Sequence, residues 1–278
     1  MSPRVGIMQG RLLPPMNGRI QAFPADSWPE EFPLARDIGF DTIEFIFDAD
    51  GAAIEGHPLL DDGCHAIRAL VDRHHVAVQT ICADYFMRHP FHGEDTADVA
   101  RSVELLSSQV ENTSGLNITD IVIPCVDEST LSTADDRDAL VRRLEPIAAM
   151  CEAAGVNLAL ETDLDPDGFV ELLDGFASRR VTVNYDVGNS AALGYDPVEE
   201  WEAYGDKVSS VHIKDRVLNG ATVSLGSGSA RFDDFFQIAS RKGYDGLFVL
   251  QAARGGDELD AARGYKQFLV GFLDKYMS

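Results

Sequence analysis

The fold is decided by the stretch DIVIPCVDESTLSTADDRDALVRRLEPIAAMCEAAGVNLALET at residues 120–162. It begins and ends with continuous apolar runs, at 120–125 and 157–162, which are typical of strands covered on both faces in a parallel sheet. Between them five apolar residues recur at helical spacing, after a cap region at Ser132 and Asp135: Leu140, Val141, Leu144, Ile147 and Ala148. Gly155 stands where the helix ends, as a left-handed C-cap requires. The stretch therefore predicts a strand, a helix and a second strand.

The same alternation of strand and helix patterns continues along the whole chain of 278 residues. Eight apolar runs occur, with starts 24 to 43 residues apart, at 5–8, 41–47, 77–82, 120–125, 157–162, 181–187, 208–213 and 246–250. Gly39 and Gly243 precede the second and the last run, as Gly155 precedes the fifth. The units leave no residues for another domain, so we predict an α/β fold with residues 1–278 forming a single (β/α)8 TIM barrel. A doubly wound open sheet is the alternative, but no G-x-G-x-x-G follows the first run.

Charge and composition narrow the classes of function. The chain has 46 Asp and Glu against 23 Lys and Arg, a net charge of −23, which would repel nucleic acids and anionic membranes. No apolar stretch approaches the ~18 residues of a membrane span. The four cysteines form no C-x-x-C pair and are interpreted as reduced thiols, so we expect a cytoplasmic protein.

Polar side chains interrupt the ends of four consecutive runs, where a barrel of this type builds its active site. They are Glu161 in the fifth run, Asp186 and Asn189 at the sixth, His212, Lys214 and Asp215 at the seventh, and Gln251 after the eighth. Carboxylates, an imidazole and an amide oxygen are suitable ligands for Mn²⁺, Zn²⁺, Co²⁺ or Mg²⁺. Taken singly, each residue is also explained as a helix cap, an ion-pair partner or a hydrogen-bonded core residue. Their common position predicts a metal site.

Several short motifs in order along the chain carry a family resemblance: GFDTIEF (39–45), RHPFHGED (88–95), LALET (158–162), NYDVGN (184–189), VHIKD (211–215) and the stretch from VSLGSG to LFVLQ (223–251). The sequence resembles the xylose-isomerase-like family of sugar isomerases and epimerases. Within that family it looks most like the pentulose-5-phosphate 3-epimerases of the L-ribulose and L-xylulose type. The resemblance implies a TIM barrel, a sugar or sugar phosphate as substrate, and self-association into a homo-oligomer.

The resemblance also implies a ligand set. The family holds its metal with Glu, Asp, His and Glu, and Glu161, Asp186 and His212 occupy the first three places. Gln251 stands where the second Glu is expected. Glu44 also matches a common Glu of the family, and we interpret it as a residue that supports a ligand or the fold.

Gln251 bears directly on the mechanism. The resembled epimerases remove a proton with one Glu and return it to the opposite face with the other, through an enediolate. A Gln side chain can offer an oxygen to a metal, but it has no titratable proton. Isomerisation through an enediolate needs one base, for which Glu161 is sufficient. Lys214, Asp215 or Asp163 would have to supply the second proton carrier of an epimerase.

Three other functions stay open. A metal-dependent dehydratase of a keto-polyol begins with the same enolisation. A sugar-binding relative without turnover is a second alternative. A DNA-repair endonuclease shares the barrel type, but it would need a basic groove and further metal-binding His residues.

Substrate contacts are expected from the loops after the last three barrel strands. A TIM barrel commonly binds phosphate after its seventh and eighth strands, and Lys214 should contact a substrate oxygen as a catalytic residue. The other candidates for substrate binding are Asn189, Asp215, Arg216, Ser227 and Arg254. Helix capping, ion pairing and flexible loop structure are the alternative roles, so free and phosphorylated sugars remain equal choices.

Overall fold

A computed structural model describes residues 3–48, 54, 56–60 and 64–277. Eight parallel strands form a closed barrel. The strands are β1 (Arg4–Met8), β2 (Thr42–Ile46), β3 (Thr80–Cys82), β4 (Asp120–Cys125), β5 (Asn157–Thr162), β6 (Val181–Asp186), β7 (Val208–Ile213), and β10 (Leu247–Leu250), with a separate hairpin of β8 (Asp215–Arg216) and β9 (Thr222–Val223). Their order around the barrel is β1-β10-β7-β6-β5-β4-β3-β2. The first and last barrel strands close the barrel with Arg4 paired to Leu247. The predicted TIM barrel is confirmed.

Ten α-helices in the described residues surround the barrel. They are α1 (Glu31–Ile38), α2 (His65–His74), α3 (Tyr85–Arg88), α4 (Thr96–Asn112), α5 (Ala134–Ala154), α6 (Pro166–Asp174), α7 (Val187–Leu193), α8 (Pro197–Tyr204), α9 (Phe232–Arg241) and α10 (Glu258–Tyr276). None of them is both long enough and apolar enough to cross a bilayer.

The ends of the helices follow from local chemistry. Thr133 caps α5, accepting a hydrogen bond from the backbone N–H of Asp136 at 3.1 Å, while Asp136 accepts one from the N–H of Thr133 at 2.8 Å. The cap therefore lies between the two residues expected, Ser132 and Asp135. Three glycines end helices with positive φ, as predicted: Gly39 at 86°, Gly155 at 75° and Gly243 at 72°.

The apolar runs are continuous because the barrel strands are covered on both faces. Every residue of β2, β4 and β10 is buried. One side of each strand faces the barrel interior and the other faces the helices. On the outside, Phe235 and Phe236 of α9 are fully buried, with the Phe236 ring centroid 5.7 Å from that of Phe248 in β10.

Two differences from the predicted elements concern pairing. The run 77–82 gives a strand only at Thr80–Cys82, because Ala77 makes a single isolated bridge to Thr42. The antiparallel hairpin of β8 and β9 was not predicted, since its strands have two residues each and no apolar pattern. The four cysteines are all buried and free of disulfide bonds, as the reduced-thiol interpretation requires.

Candidate functional site

Three ionisable side chains meet at the carboxyl ends of three adjacent strands. Glu161 lies in β5, Asp186 ends β6 and His212 lies in β7, and β6 pairs with both of its neighbours. All three are buried, and each offers a donor atom within 4.8 Å of the others. No other group of this kind occurs in the described part of the chain. The structure thus brings together the first three predicted ligands.

His212 is oriented by a carboxylate on the far side of its ring. Its Nε2 lies 2.8 Å from Oε1 of Glu44, which β2 carries across the barrel. Nδ1 therefore faces the cluster, 3.3 Å from Oε2 of Glu161 and 3.9 Å from Oδ2 of Asp186. A hydrogen bond from one ring nitrogen to a carboxylate is how proteins commonly orient a metal-binding histidine.

Two asparagines hold the carboxylates. The side-chain N–H groups of Asn184 and Asn189 donate to the two oxygens of Glu161, at 2.8 Å and 2.7 Å. The backbone N–H of Asn189 donates to Oδ1 of Asp186 at 2.8 Å, so that Asp186 caps α7. Oδ2 of Asp186 remains directed to the cluster. Asn189, in the first turn of α7, therefore orients the carboxylates of both Glu161 and Asp186.

The charges of the cluster act on one another. Burial alone would raise the pKa of Glu161, but the hydrogen bond and positive charge of His212, and then the charge of Lys214, bring this pKa below its usual value. Burial raises the pKa of Asp186 against the opposing effect of Lys214. Burial acts to lower the pKa of His212, but Glu44 and Glu161 outweigh it and raise this pKa well above its usual value. The cluster therefore favours positive charge at its centre.

Lys214 connects the cluster to Gln251. Gln251 follows β10, and its backbone N–H donates to the carbonyl of Ile213 at 3.0 Å. Nζ of Lys214 donates to Oε1 of Gln251 at 3.2 Å and lies 3.4 Å from Oδ2 of Asp186. The structure thus places the fourth predicted ligand at the same rim, separated from Asp186 by an ammonium group.

A cleft of about 390 Å³ opens above these residues. This volume falls within the usual range for small-molecule sites. Five of the predicted site residues line it: Glu161, Asn189, Lys214, Arg216 and Gln251. Arg216 is half-buried, and its Nη1 donates to Oδ1 of Asn189 at 2.9 Å. Lys214 and Arg216 supply the positive charges among the lining residues.

The other three predicted substrate contacts are not among the residues that line this cleft. The carboxylate of Asp215 is buried and accepts the backbone N–H groups of Gly226, Gly228 and Ala230 at 2.9, 2.8 and 3.1 Å. Ser227 is exposed in the loop that Asp215 holds. The guanidinium group of Arg254 donates to three backbone carbonyls, those of Gly10, Leu13 and Ile20. Asp215 and Arg254 shape the loops around the cleft.

Sequence reasoning missed three residues of this region. Asn184 lies two residues before Asp186 in β6 and so shares its face, a signal that was present in NYDVGN. Asp84 lines the cleft and lies two residues after the end of β3, close to the strand-end position that identified the other candidates. Gln21 also lines the cleft, but it lies in a loop without a periodic pattern, so no sequence signal marked it.

The donor set fits a divalent cation. Two carboxylates and one imidazole nitrogen converge on one point, and an amide oxygen lies at the same rim. Mixed oxygen and nitrogen donors of this kind suit Mn²⁺, Zn²⁺, Co²⁺ or Mg²⁺.

Comparisons with known proteins give a family match, sequence relatives and structures of similar fold. The sequence profile of the xylose isomerase-like TIM barrel family matches residues 32–269. The L-ribulose-5-phosphate 3-epimerase UlaE of Salmonella paratyphi A is 24% identical over 244 residues, which cover 83% of this chain and 84% of that protein. The crystal structure of an L-ribulose 3-epimerase superposes with a TM-score of 0.77 at 20% identity, covering 99% of this chain and 96% of the other. The structure of the IOLI protein with a bound zinc atom superposes with a TM-score of 0.76 at 18% identity, covering 98% and 99%.

Proposed function

The chain belongs to the xylose isomerase-like TIM barrel family, and on that basis we propose that it is a divalent-metal-dependent isomerase or epimerase of a ketose or ketose phosphate. The observation that carries the proposal is the convergence of Glu161, Asp186 and His212 beneath a cleft of sugar size. The likeness to an L-ribulose-5-phosphate 3-epimerase supports the same class of substrate.

Glu161, Asp186 and His212 would hold the cation, with Gln251 offering its amide oxygen as a fourth ligand. A cation held by these residues would supply Lewis-acid chemistry, because it would polarise a ketose carbonyl and stabilise negative charge on its oxygen. The protein's part is to keep the ligands oriented, through Glu44 behind His212.

Glu161 is the proposed base that removes the proton from the carbon next to the carbonyl. Its pKa is lowered, so it is a carboxylate at neutral pH and can accept a proton. Asn184 and Asn189 donate to both of its oxygens and hold the carboxylate in one orientation. The electron pair of the broken C–H bond becomes part of an enediolate, which isomerases and epimerases share.

Lys214, Asn189 and Arg216 are the proposed substrate contacts, since all three line the cleft. Lys214 can donate to a substrate oxygen next to the metal, and the amide of Asn189 suits a hydroxyl group. The guanidinium group of Arg216 matches a phosphate through two parallel hydrogen bonds. Asp215 and Arg254 would act by positioning their loops, because their polar atoms are occupied by backbone groups.

The test is a metal-dependent hydrogen exchange. Protein stripped with a chelator and reloaded with Mn²⁺, Zn²⁺, Co²⁺ or Mg²⁺ should bind about one ion and exchange the proton next to the ketone of a pentulose or hexulose in D₂O, as followed by NMR. Paired substrates with and without a terminal phosphate would reveal any preference for phosphate. The variant Glu161→Gln should lose exchange by at least about 100-fold, since general bases commonly contribute this much. Glu152→Gln, on α5, is the matched control.

The outcomes separate the alternatives. If the protein exchanges the proton next to the ketone and removes water from a keto-polyol, without forming an isomeric sugar, it is a dehydratase. A bound ion with tight sugar binding and no exchange would identify a binding protein. A protein that retains no divalent ion at any concentration tested would contradict the proposal at its first step.

A further inference from the structure

If the protein is an epimerase, a group other than Gln251 must deliver the proton that returns to the reacting carbon. Epimerisation needs an acid that can reach the reacting carbon from the face opposite the base, and an amide cannot fill this role. Besides Glu161, two carboxyl groups line the cleft, those of Asp84 and Asp127. These two side chains differ sharply in their surroundings.

Asp84 is linked to Gln251 by a single side chain. Gln21 reaches over the cleft from the loop after β1, and its Nε2 donates to Oδ2 of Asp84 at 2.6 Å. Its Oε1 accepts from Nε2 of Gln251 at 3.2 Å and from Nη2 of Arg11 at 3.1 Å. The thiol of Cys82 donates to Oδ1 of Asp84 at 3.1 Å. Asp84 is therefore a half-buried, oriented carboxyl group beside the position where a Glu is missing.

The barrel order places Asp84 across the cleft from the histidine ligand. Asp84 follows β3, and β3 is separated from β7 by three strands in either direction around the barrel. His212 and Lys214 belong to the β7 side, and Glu161 on β5 lies midway between the two sides. A ketose held from the β6 and β7 side would extend towards β3, between Glu161 and Asp84.

The other ionisable groups considered for this role are less suitable. Asp215 is fully buried, with three backbone N–H groups on its carboxylate. Asp163 accepts a hydrogen bond from Thr130 and is not among the cleft-lining residues. Nζ of Lys214 lies against two of the proposed ligands. Asp127 is exposed at the outer edge of the cleft.

The electrostatics of Asp84 agree with a role as an acid. Burial raises its pKa, and the negative charges of Glu161 and Asp48 add to this effect, while the hydrogen bonds from Gln21 and Cys82 oppose it. The positive charge of Arg11, which donates to Gln21 and to the carbonyl of Ile20, interacts with Asp84, and Lys214 and Arg216 line the same cleft. Asp84 therefore keeps a proton to a higher pH than an exposed aspartate does.

We propose that Asp84 is the second proton carrier of a ketose epimerase in which Gln251 replaces the usual acid. This inference rests on the proposed function and selects epimerisation from the two reactions named there. Glu161 accepts the proton of the C–H bond, whose electron pair passes into the enediolate. Asp84 then gives its proton to the same carbon from the opposite face, and the electron pair returns to form the new C–H bond. Glu161 ends protonated and Asp84 ends as a carboxylate, and solvent resets both.

Two readouts in D₂O test Asp84 separately from Glu161. With a ketose that the wild type epimerises, Asp84→Asn should still exchange the substrate proton, because Glu161 can remove it and return deuterium to the same face. Formation of the epimer should fall by at least about 100-fold, the usual contribution of a general acid. Asp206→Asn, which removes an exposed carboxyl group outside the cleft, should epimerise at the wild-type rate. Binding of Mn²⁺ to Asp84→Asn, followed by calorimetry, should equal that of the wild type and so establish that the site is intact.

A second variant tests the replacement directly. Gln251→Glu in the Asp84→Asn background should recover epimer formation by at least about tenfold, because it restores an acid close to the lost one. Wild-type epimerisation by Asp84→Asn would overturn the inference, as would joint loss of exchange and epimerisation with Mn²⁺ binding intact. A wild-type protein that exchanges protons of every ketose without epimerising any would overturn this inference and leave the metal-dependent enolisation in place. Absence of all exchange in the wild type would overturn both.

Discussion

Nε2 of His212 and Oε1 of Glu44 lie 2.8 Å apart, and both side chains are 0% exposed. The pair joins β7 to β2 through the interior of the barrel. It determines which ring nitrogen faces the carboxylates of β5 and β6. The rigidity of the proposed metal site therefore depends on a residue that does not itself belong to the cluster.

Glu44→Gln should weaken metal binding by about 10- to 100-fold, which is the usual effect of losing the carboxylate behind a ligating histidine. The amide keeps the size of the side chain but removes its charge, so the imidazole of His212 becomes a weaker ligand for the metal ion. Calorimetric titration of the stripped protein with Mn²⁺ and Zn²⁺ would measure the change. Glu200→Gln is the control, because Glu200 is also buried but bonds to Tyr185, Ser190 and Tyr204. Equal affinities in the two variants would contradict this reasoning.

Lys214→Gln should bind divalent ions more tightly than the wild type, by about tenfold, and should turn over more slowly. The ammonium group lies 3.4 Å from Oδ2 of Asp186, where it repels an incoming cation through a partly desolvated medium. Its removal also takes away a proposed substrate donor. Metal titration and initial rates on the same samples measure both effects, with Lys207→Gln, at an exposed ion pair, as the control. A loss of metal affinity in Lys214→Gln would show that the lysine helps to hold the ligands.

Gly188→Ala should destabilise the protein by about 1 to 3 kcal/mol, the usual cost of overpacking. A methyl group at Gly188 would lie 2.8 Å from Cγ of Lys214 and 2.9 Å from its carbonyl carbon. The backbone of α7 and that of Lys214, which follows β7, would have to separate, and Lys214 would be displaced from Gln251. Urea unfolding and the rate of substrate exchange should therefore both change. Gly256→Ala, where the added methyl group meets open space, should leave both unaltered.

His57 should make the folded protein sensitive to acid. Burial lowers its pKa to about 4, while Ile46 and Leu59 occupy both ring nitrogens in hydrogen bonds of 2.9 and 3.2 Å. Below about pH 6.5 the imidazole of His57 binds a proton in the unfolded chain, whereas in the folded protein it stays neutral down to about pH 4. The free energy of unfolding therefore falls as the pH drops from about 6.5 to about 4. The total change is about 3 kcal/mol.

The variant His57→Gln isolates this contribution. Its urea unfolding curves at pH 7 and pH 4.5, recorded without metal, should differ less than those of the wild type, whatever its stability at pH 7. An unchanged pH dependence would mean that other groups account for the acid sensitivity.

Much of the fold was accessible from sequence because burial on two faces leaves a continuous apolar run. Strands β4, β5 and β7 have the predicted bounds for this reason. The cluster of Glu161, Asp186 and His212 was accessible too, since the end of a barrel strand determines where its side chain lies. Strand β3 was predicted too long, because an apolar run does not show which backbone N–H and C=O groups form hydrogen bonds with a neighbouring strand.

The loops were not accessible in the same way. Asp215 follows a strand end like the proposed ligands, but the loop at 224–230 folds back over it. Backbone N–H groups of that loop donate hydrogen bonds to its carboxylate. Arg254 faces carbonyl groups of a loop more than 230 residues away in sequence. Such contacts depend on the path of the chain in space, and neither periodicity nor spacing records that path.

The hydrogen bonds of Arg254 have a consequence for synthesis of the protein. They fasten the loop after the first strand, which carries Gln21 over the cleft, to the segment after the last one. A growing chain therefore cannot form these bonds to the loop until Arg254 has left the ribosome. Nascent fragments can acquire the earlier strands first, but the rim of the barrel is assembled only after β10 and the segment that follows it have been synthesised.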